Sequence, residues 1–357
     1  MAQPRAHTPR DGTAALGLPD DWSSGVPNES DAAGLTALLR RHEARARGWP
    51  GASEGDVLVE VSHPGAEVRA NLVVRDDEGN VRGWASAHDR AAGRMLLSII
   101  VDPRLGESTA DRVAQVLFGW ADEQAVRVGA LRELSVQQID SGAFADDKRQ
   151  HRWLSGAGYT KMRTWWQMSR PVTSQDADLD PDSREGVGIR RVEREGSGMP
   201  HEDDLRTVHD ILETSFADHF NSHEETFDEF VSRLREDPGH RWDHWWIAEL
   251  VEKGRDREPA GTLVGTVSDG GTDEHGQRQP DASYVSYIGV LKSARGRGVA
   301  KSLLSTIIVD AAERGRDRVG LEVDADSPTG ADGLYLSMGW ETSYVTQSWH
   351  RDVPVQV

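Results

Sequence analysis

Residues 283–315 read SYVSYIGVLKSARGRGVAKSLLSTIIVDAAERG, a β-branched and aromatic run that passes through two glycines and two arginines directly into an amphipathic segment. A strand, a basic glycine-rich loop and a helix in that order make an anion site. Glycines let the backbone come close to a phosphate, the unpaired N–H groups of the first helical turn point at it, and the helix dipole favours its charge. Arg295, Arg297 or Lys301 would add charged hydrogen bonds. A phosphate-bearing ligand is one reading, and an exposed structural turn is the other. The loop lacks the GxxxxGK[ST] spacing of a P-loop, and no GxGxxG with its later acidic residue marks a dinucleotide fold.

Other polar residues are candidates for chemistry. Glu322 and Asp324 lie two apart on a strand-like run and share a face opposite Val319, Leu321 and Val323. Glu322 could serve as a general base, although a solvated strand face is the commoner fate of such carboxylates and water could take that role. His219 and His223 are four apart, a helical metal spacing, yet Phe220, Asn221 and Ser222 read as a helix end and loop, so no metal is expected. Ser327 precedes Pro328 and reads equally as a helix N-cap. The pairs Trp165-Trp166 and Trp245-Trp246 point to opposite faces of strands and are read as core or interface packing. The chain has no cysteine, which excludes disulfides, thiolate metal sites and a cysteine nucleophile.

The elements that must position these residues occur twice. An acidic stretch without aromatics, TSQDADLDPDSREGVG, makes 173–187 a linker. On either side comes a helix (31–47, then 202–220) and three strands (70–74, 81–88 and 95–101, then 245–251, 261–268 and 283–290). A second helix (111–124, then 299–314) and a further strand (133–138, then 318–324) follow. Each half closes with a short helix, a small-residue turn and an aromatic strand. A repeat this long is a duplicated domain, since solenoid units run to roughly 20–50 residues. The step from 284 to 323 requires a parallel, right-handed crossover. Each half is thus an α/β (α+β) domain, giving a tail over 1–22, domains over 23–172 and 188–357, and the linker between them.

With 60 acidic against 41 basic residues, the net charge of −19 disfavours nucleic acid and anionic membranes and suits a neutral or cationic acceptor, while serving solubility in any case. No apolar run reaches the roughly 18 residues of a spanning helix. The N-terminus lacks a signal-like apolar stretch, so a cytoplasmic chain is expected.

Arg295-Gly296-Arg297-Gly298-Val299-Ala300 fits the [Q/R]-x-x-G-x-[G/A] signature of the GCN5-related N-acetyltransferases, and Leu334-Tyr335-Leu336-Ser337-Met338-Gly339-Trp340 resembles the L-Y-x-x-x-G-F that follows it in that family, with Trp for Phe. The resemblance covers the second half in motifs and the first half in the order of elements, as in tandem members. It implies two mixed, mostly antiparallel twisted sheets, each with a central parallel pair splayed around acetyl-CoA. Backbone N–H groups of residues 295–300 would hold the pyrophosphate, and Ile288, Gly289 and Val290 would pair with the pantetheine arm. Ser327 stands where relatives often carry an asparagine near that arm. Tyr335 would be the general acid for the departing thiolate, with packing at the helix end as its other reading. Asp218, His219 and Tyr284 would line the acceptor side, Tyr284 standing where an acidic residue is expected in the two-domain type.

The first half keeps the pattern of elements and loses both landmarks. Its loop, Val101 to Ala110, has one glycine with Glu107 and Asp111 close by, and Leu154 occupies the tyrosine position. The resemblance therefore implies direct acetyl transfer from acetyl-CoA to the amine of a small molecule in the second half. The first half would be a degenerate partner, and homodimer formation is left open. A non-catalytic acetyl-CoA sensor and a transferase for another acyl group are the alternatives.

Overall fold

The computed structural model describes residues 17–62, 68–90, 94–181, 185–196, 198–217, 226–236, 239–270, 277–326 and 330–355. These residues form two compact units. One is Met1–Met162 with Gln347–Val357, and the other is Arg163–Thr346. Both boundaries fall inside strands, one within Thr160–Pro171 and the other within Glu341–Pro354. The acidic stretch that divides the sequence by composition therefore lies inside the second unit. A linker is set by local composition, whereas a compact unit is set by which strand fills which sheet.

In the first unit β1 (Ser23–Gly25), β2 (Arg69–Arg75), β3 (Val81–Arg90) and β4 (Arg94–Val101) pair antiparallel in that order, and β5 (Val136–Phe144) joins β4 in parallel. The parallel step follows from the crossover helix α3 (Glu107–Leu131), whose Val113, Ala114, Leu117 and Ala121 are buried against one sheet face. Helices α1 (Ala32–Arg47) and α2 (Glu54–Val61) close the other face over Val73, Trp84 and Ile100. Ser53 and Asp56 form a reciprocal capping box that starts α2. Helix α4 (Lys148–Gly156) follows β5. Trp349 and Val353, from the end of the chain, complete this unit's core.

The second unit uses the part of β6 (Thr160–Pro171) that lies beyond Met162. It pairs antiparallel with β11 (Arg318–Asp324), which pairs in parallel with β10 (Ala282–Val290). Beyond β10 come β9 (Glu258–Ser268), β8 (His240–Leu250) and β7 (Val187–Arg191), all antiparallel. Helices α5 (Glu202–Phe216) and α6 (Phe227–Glu236) cover one face around Trp245 and Val264. Helix α7 (Val299–Glu313) covers the other around Trp246, Leu263 and Leu321. Helix α8 (Ala331–Ser337) leads into β12 (Glu341–Pro354). Trp245 and Trp246 go to opposite cores, as alternation along a strand requires.

Periodicity located most elements and missed the short helices α2 and α6 and the short strands β1 and β7. Helix α3 extends past both ends of the span read from sequence, because Glu107 to Leu131 forms one continuous helix.

Candidate functional site

In the second unit the parallel ladder between β10 and β11 runs only from Ser283↔Val319 to Val285↔Leu321. Beyond Val285 the β10 backbone keeps its pairing with β9 and has no ladder partner in β11, so the two strands splay apart. A register shift between Val285 and Tyr287 marks a bulge. It switches the side on which residues fall: Val285 and Ile288 meet the α7 core, while Tyr287 meets the α5/α6 core. Gly289 lies under α5, where an added Cβ would stand 3.1 Å from Ser215 Oγ and 3.2 Å from Leu212 Cδ2. Ile288 and Val290 pack partly buried toward α7.

The strand delivers the chain to the glycine loop. Gly296 and Gly298 have φ of +78° and +87°, left-handed values that only glycine adopts without strain. Gly298 is the N-cap of α7 and carries no side chain to cap its amides. The first turn of α7 has no acidic residue, Val299 is 1% exposed and anchors the turn in the core, and Ala300 is half-buried. Only the backbone of Val299 can therefore serve a ligand. Arg295 and Lys301 are exposed, while Arg297 reaches Glu252 Oε1 at 3.2 Å.

Tyr335, on α8, is 7% exposed and belongs to the α7-side core, with its ring edge-on to Trp340 at 6.1 Å. Its hydroxyl has no hydrogen-bond partner among the described residues, and burial pushes the phenol up to about 12. Glu322 stands on the opposite face of β11 from Val323 and retains exposed surface. The packing around its carboxyl strips water from it and raises it above the usual range, Asp324 adds to the rise, and a hydrogen bond donated by Gln167 Nε2 opposes it.

Tyr284 shares that face. Its ring lies over Gly320, whose added Cβ would stand 3.0 Å from Tyr284 Cδ2. Burial, then Glu322, Tyr344 and Tyr287, hold the Tyr284 phenol in its protonated form. Arg233 on α6 donates to Tyr287 Oη at 2.6 Å. The structure thus gathers Tyr284, Tyr287, Glu322 and Gln167 on one side of the splayed pair and Tyr335 on the other. Ser327, Asp218 and His219 lie outside the described residues. Gln167 escaped the sequence reading because it precedes the linker; its one signal is a polar residue between Trp166 and Met168.

The equivalent place in the first unit is filled. There the parallel β4/β5 ladder also stops early, at Leu97↔Ser141. Gln150 on α4, 5% exposed, donates through Nε2 to Gly142 O at 3.1 Å and Ile99 O at 3.4 Å, so its amide bridges the diverging strands. Gly106, before α3, has an ordinary φ of −61°. Glu107 and Asp111 occupy the first turns of α3, and Arg152 pairs with both.

Residues 205–340 match the acetyltransferase (GNAT) family. The second unit therefore carries an acetyltransferase (GNAT) domain. A mycothiol acetyltransferase from Stackebrandtia nassauensis is 26% identical to this chain over 331 residues, covering 90% of this chain and 96% of that protein. A second mycothiol acetyltransferase, from Thermobispora bispora, is 29% identical over 203 residues, 56% of this chain and 61% of that one. In fold, the chain is similar to a GCN5-related N-acetyltransferase from Sphaerobacter thermophilus, with a TM-score of 0.71, 22% identity and coverage of 95% and 98% of the two chains. It is also similar to a tandem GNAT protein from the clavulanic acid biosynthesis pathway, at a TM-score of 0.64, 11% identity and coverage of 94% and 100%. Among the described residues, no helix is long and apolar enough to cross a membrane, and no group of three or more His, Asp or Glu is placed to hold a metal ion.

Proposed function

We propose that the second unit binds acetyl-CoA and transfers its acetyl group directly to the amine of a small molecule, while the first unit binds no coenzyme A. The observation that carries this is the pairing of an early-ending β10/β11 ladder with a left-handed double-glycine loop that opens α7. The pyrophosphate would be held by backbone N–H groups of residues 295–300, with Arg295 and Lys301 adding charge. The unpaired edge of Ile288, Gly289 and Val290 would take the pantetheine amides.

Transfer needs a deprotonated amine, a stabilised oxyanion and a proton for the departing thiolate. A carboxyl raised by desolvation, as at Glu322, is a better proton acceptor than an ordinary glutamate. Tyr335 approaches from the opposite face with its proton in place at neutral pH, suited to donate to the departing sulfur. The uncharged Tyr284, where an acid is expected, removes one cation-recognising group from the acceptor side. Asp218, His219 and Ser327 remain proposed ligand contacts by resemblance.

Release of thiol from acetyl-CoA against a panel of small amines tests the assignment. Amines of mycothiol metabolism head the panel, because both relatives carry that name. Turnover with none of them alongside tight coenzyme A binding would point to a sensing module, and turnover with a different thioester to another acyl donor.

A further inference from the structure

We propose that Gln167, on the strand encoded before the linker, is the positioning residue of the Glu322 carboxylate. The proposal rests on reading Glu322 as the base. The two residues are direct cross-strand partners in the antiparallel β6/β11 pair, so their side chains share a face. Gln167 is 9% exposed and its amide nitrogen has two acceptors, Glu322 Oε2 and Thr346 Oγ1 at 3.2 Å. An amide has two N–H donors in one plane. With one anchored on Thr346, the other is aimed at the carboxylate, which fixes the direction of its free oxygen.

The chemistry of the partner matters. An arginine or lysine there would hold the carboxylate so firmly ionised that it would accept a proton poorly. A neutral amide orients it and leaves most of its basicity intact. The other groups bearing on Glu322 are Asp324 on its own strand, which opposes ionisation, and Tyr284 on β10, a neutral phenol. Gln167 is the group that favours the ionised form.

The test is a ¹³C-carboxyl titration of the full chain carrying labelled glutamate, with the Glu322 resonance identified by its loss in Glu322→Gln. Gln167→Met keeps the length of the side chain and removes the donor, so the Glu322 midpoint should move up by about one pH unit while coenzyme A affinity and melting temperature stay put. Gln167→Ala should move it the same way and serves if the Met variant misfolds. Thiol release from acetyl-CoA with glucosamine, lysine and spermidine as probe amines runs alongside. A stationary midpoint in both variants, with thiol release lost in Glu322→Gln, overturns the role of Gln167 alone. Thiol release undiminished in Glu322→Gln overturns the base assignment, and the proposal with it.

Discussion

Leu154 and Tyr335 hold the same place in two copies of one turn. The amide of Tyr159 donates to Leu154 O at 2.9 Å, that of Trp340 donates to Tyr335 O at 3.1 Å, and the glycines between them, Gly158 and Gly339, have φ of +84° and +87°. Backbone geometry is common to both units, and one of them has a hydroxyl at that point. Tyr335→Phe keeps the ring against Trp340 and removes the proton donor. With coenzyme A affinity unchanged, kcat should fall by about 10²- to 10⁴-fold. Near-normal turnover would reduce Tyr335 to a packing residue.

Gly298 sits in the left-handed region at the mouth of α7. Gly298→Val puts a β-branched residue where it is strained by at least about 1–2 kcal/mol and fills the space in front of the helix amides. Calorimetry should find coenzyme A binding lost in a chain that still melts cooperatively. Wild-type affinity in this variant would move the pyrophosphate elsewhere.

Gln150 already occupies the carbonyls of Ile99 and Gly142, and Glu107 sits in the first turn of α3. Titration of the full chain should therefore saturate at one coenzyme A per chain, and the Gly298→Val chain should take up none. Two sites of equal affinity would contradict the filled crevice.

Trp349 is 7% exposed in the core of the first unit although it lies near the end of the sequence. Trp349→Ala should cost about 3–5 kcal/mol, read by denaturant unfolding, and removal of residues 347–357 should cost more. A loss under about 1 kcal/mol would mean that the unit does not depend on its terminal strand.

His240 is wedged against Trp242 at 4.3 Å and Trp245 at 5.5 Å, and neither ring nitrogen has a hydrogen-bond partner among the described residues. Burial first, then Arg241, His244 and Arg233, bring it down to about 4 from an ordinary 6.5. Between those values the unfolded chain binds a proton that the folded chain refuses. The stability is complete above about pH 6.5 and declines as pH falls through the window, by up to about 1.4 kcal/mol per pH unit. Melting temperatures measured across that range should fall less in His240→Phe, which keeps a ring and cannot titrate. Parallel curves would show that His240 does not report on folding.

What the sequence by itself determined is local. The loop from Arg295 to Ala300 needs glycine where φ is positive, and that need is visible in the residue types. The strand, loop and helix around it, and the matching order of elements in the two halves, follow from hydrophobic period and turn residues, because these reflect interactions between near neighbours. The loss of both landmarks in the first half is legible for the same reason.

Which strand completes which unit was decided only in the tertiary structure. Strand β6 precedes the linker, yet it pairs along its length from Trp165 to Pro171 with β11, while Trp349 and Val353 fill the first core. An amphipathic aromatic strand can be read from its own residues, but its partner cannot, since any open sheet edge of the right width satisfies the same pattern. The Gln167–Glu322 contact is a consequence of that pairing, whereas the bridging amide of Gln150 follows from the parallel β4/β5 pair in the first unit. Both depend on side chains far apart in sequence that meet only when non-local strands come into register.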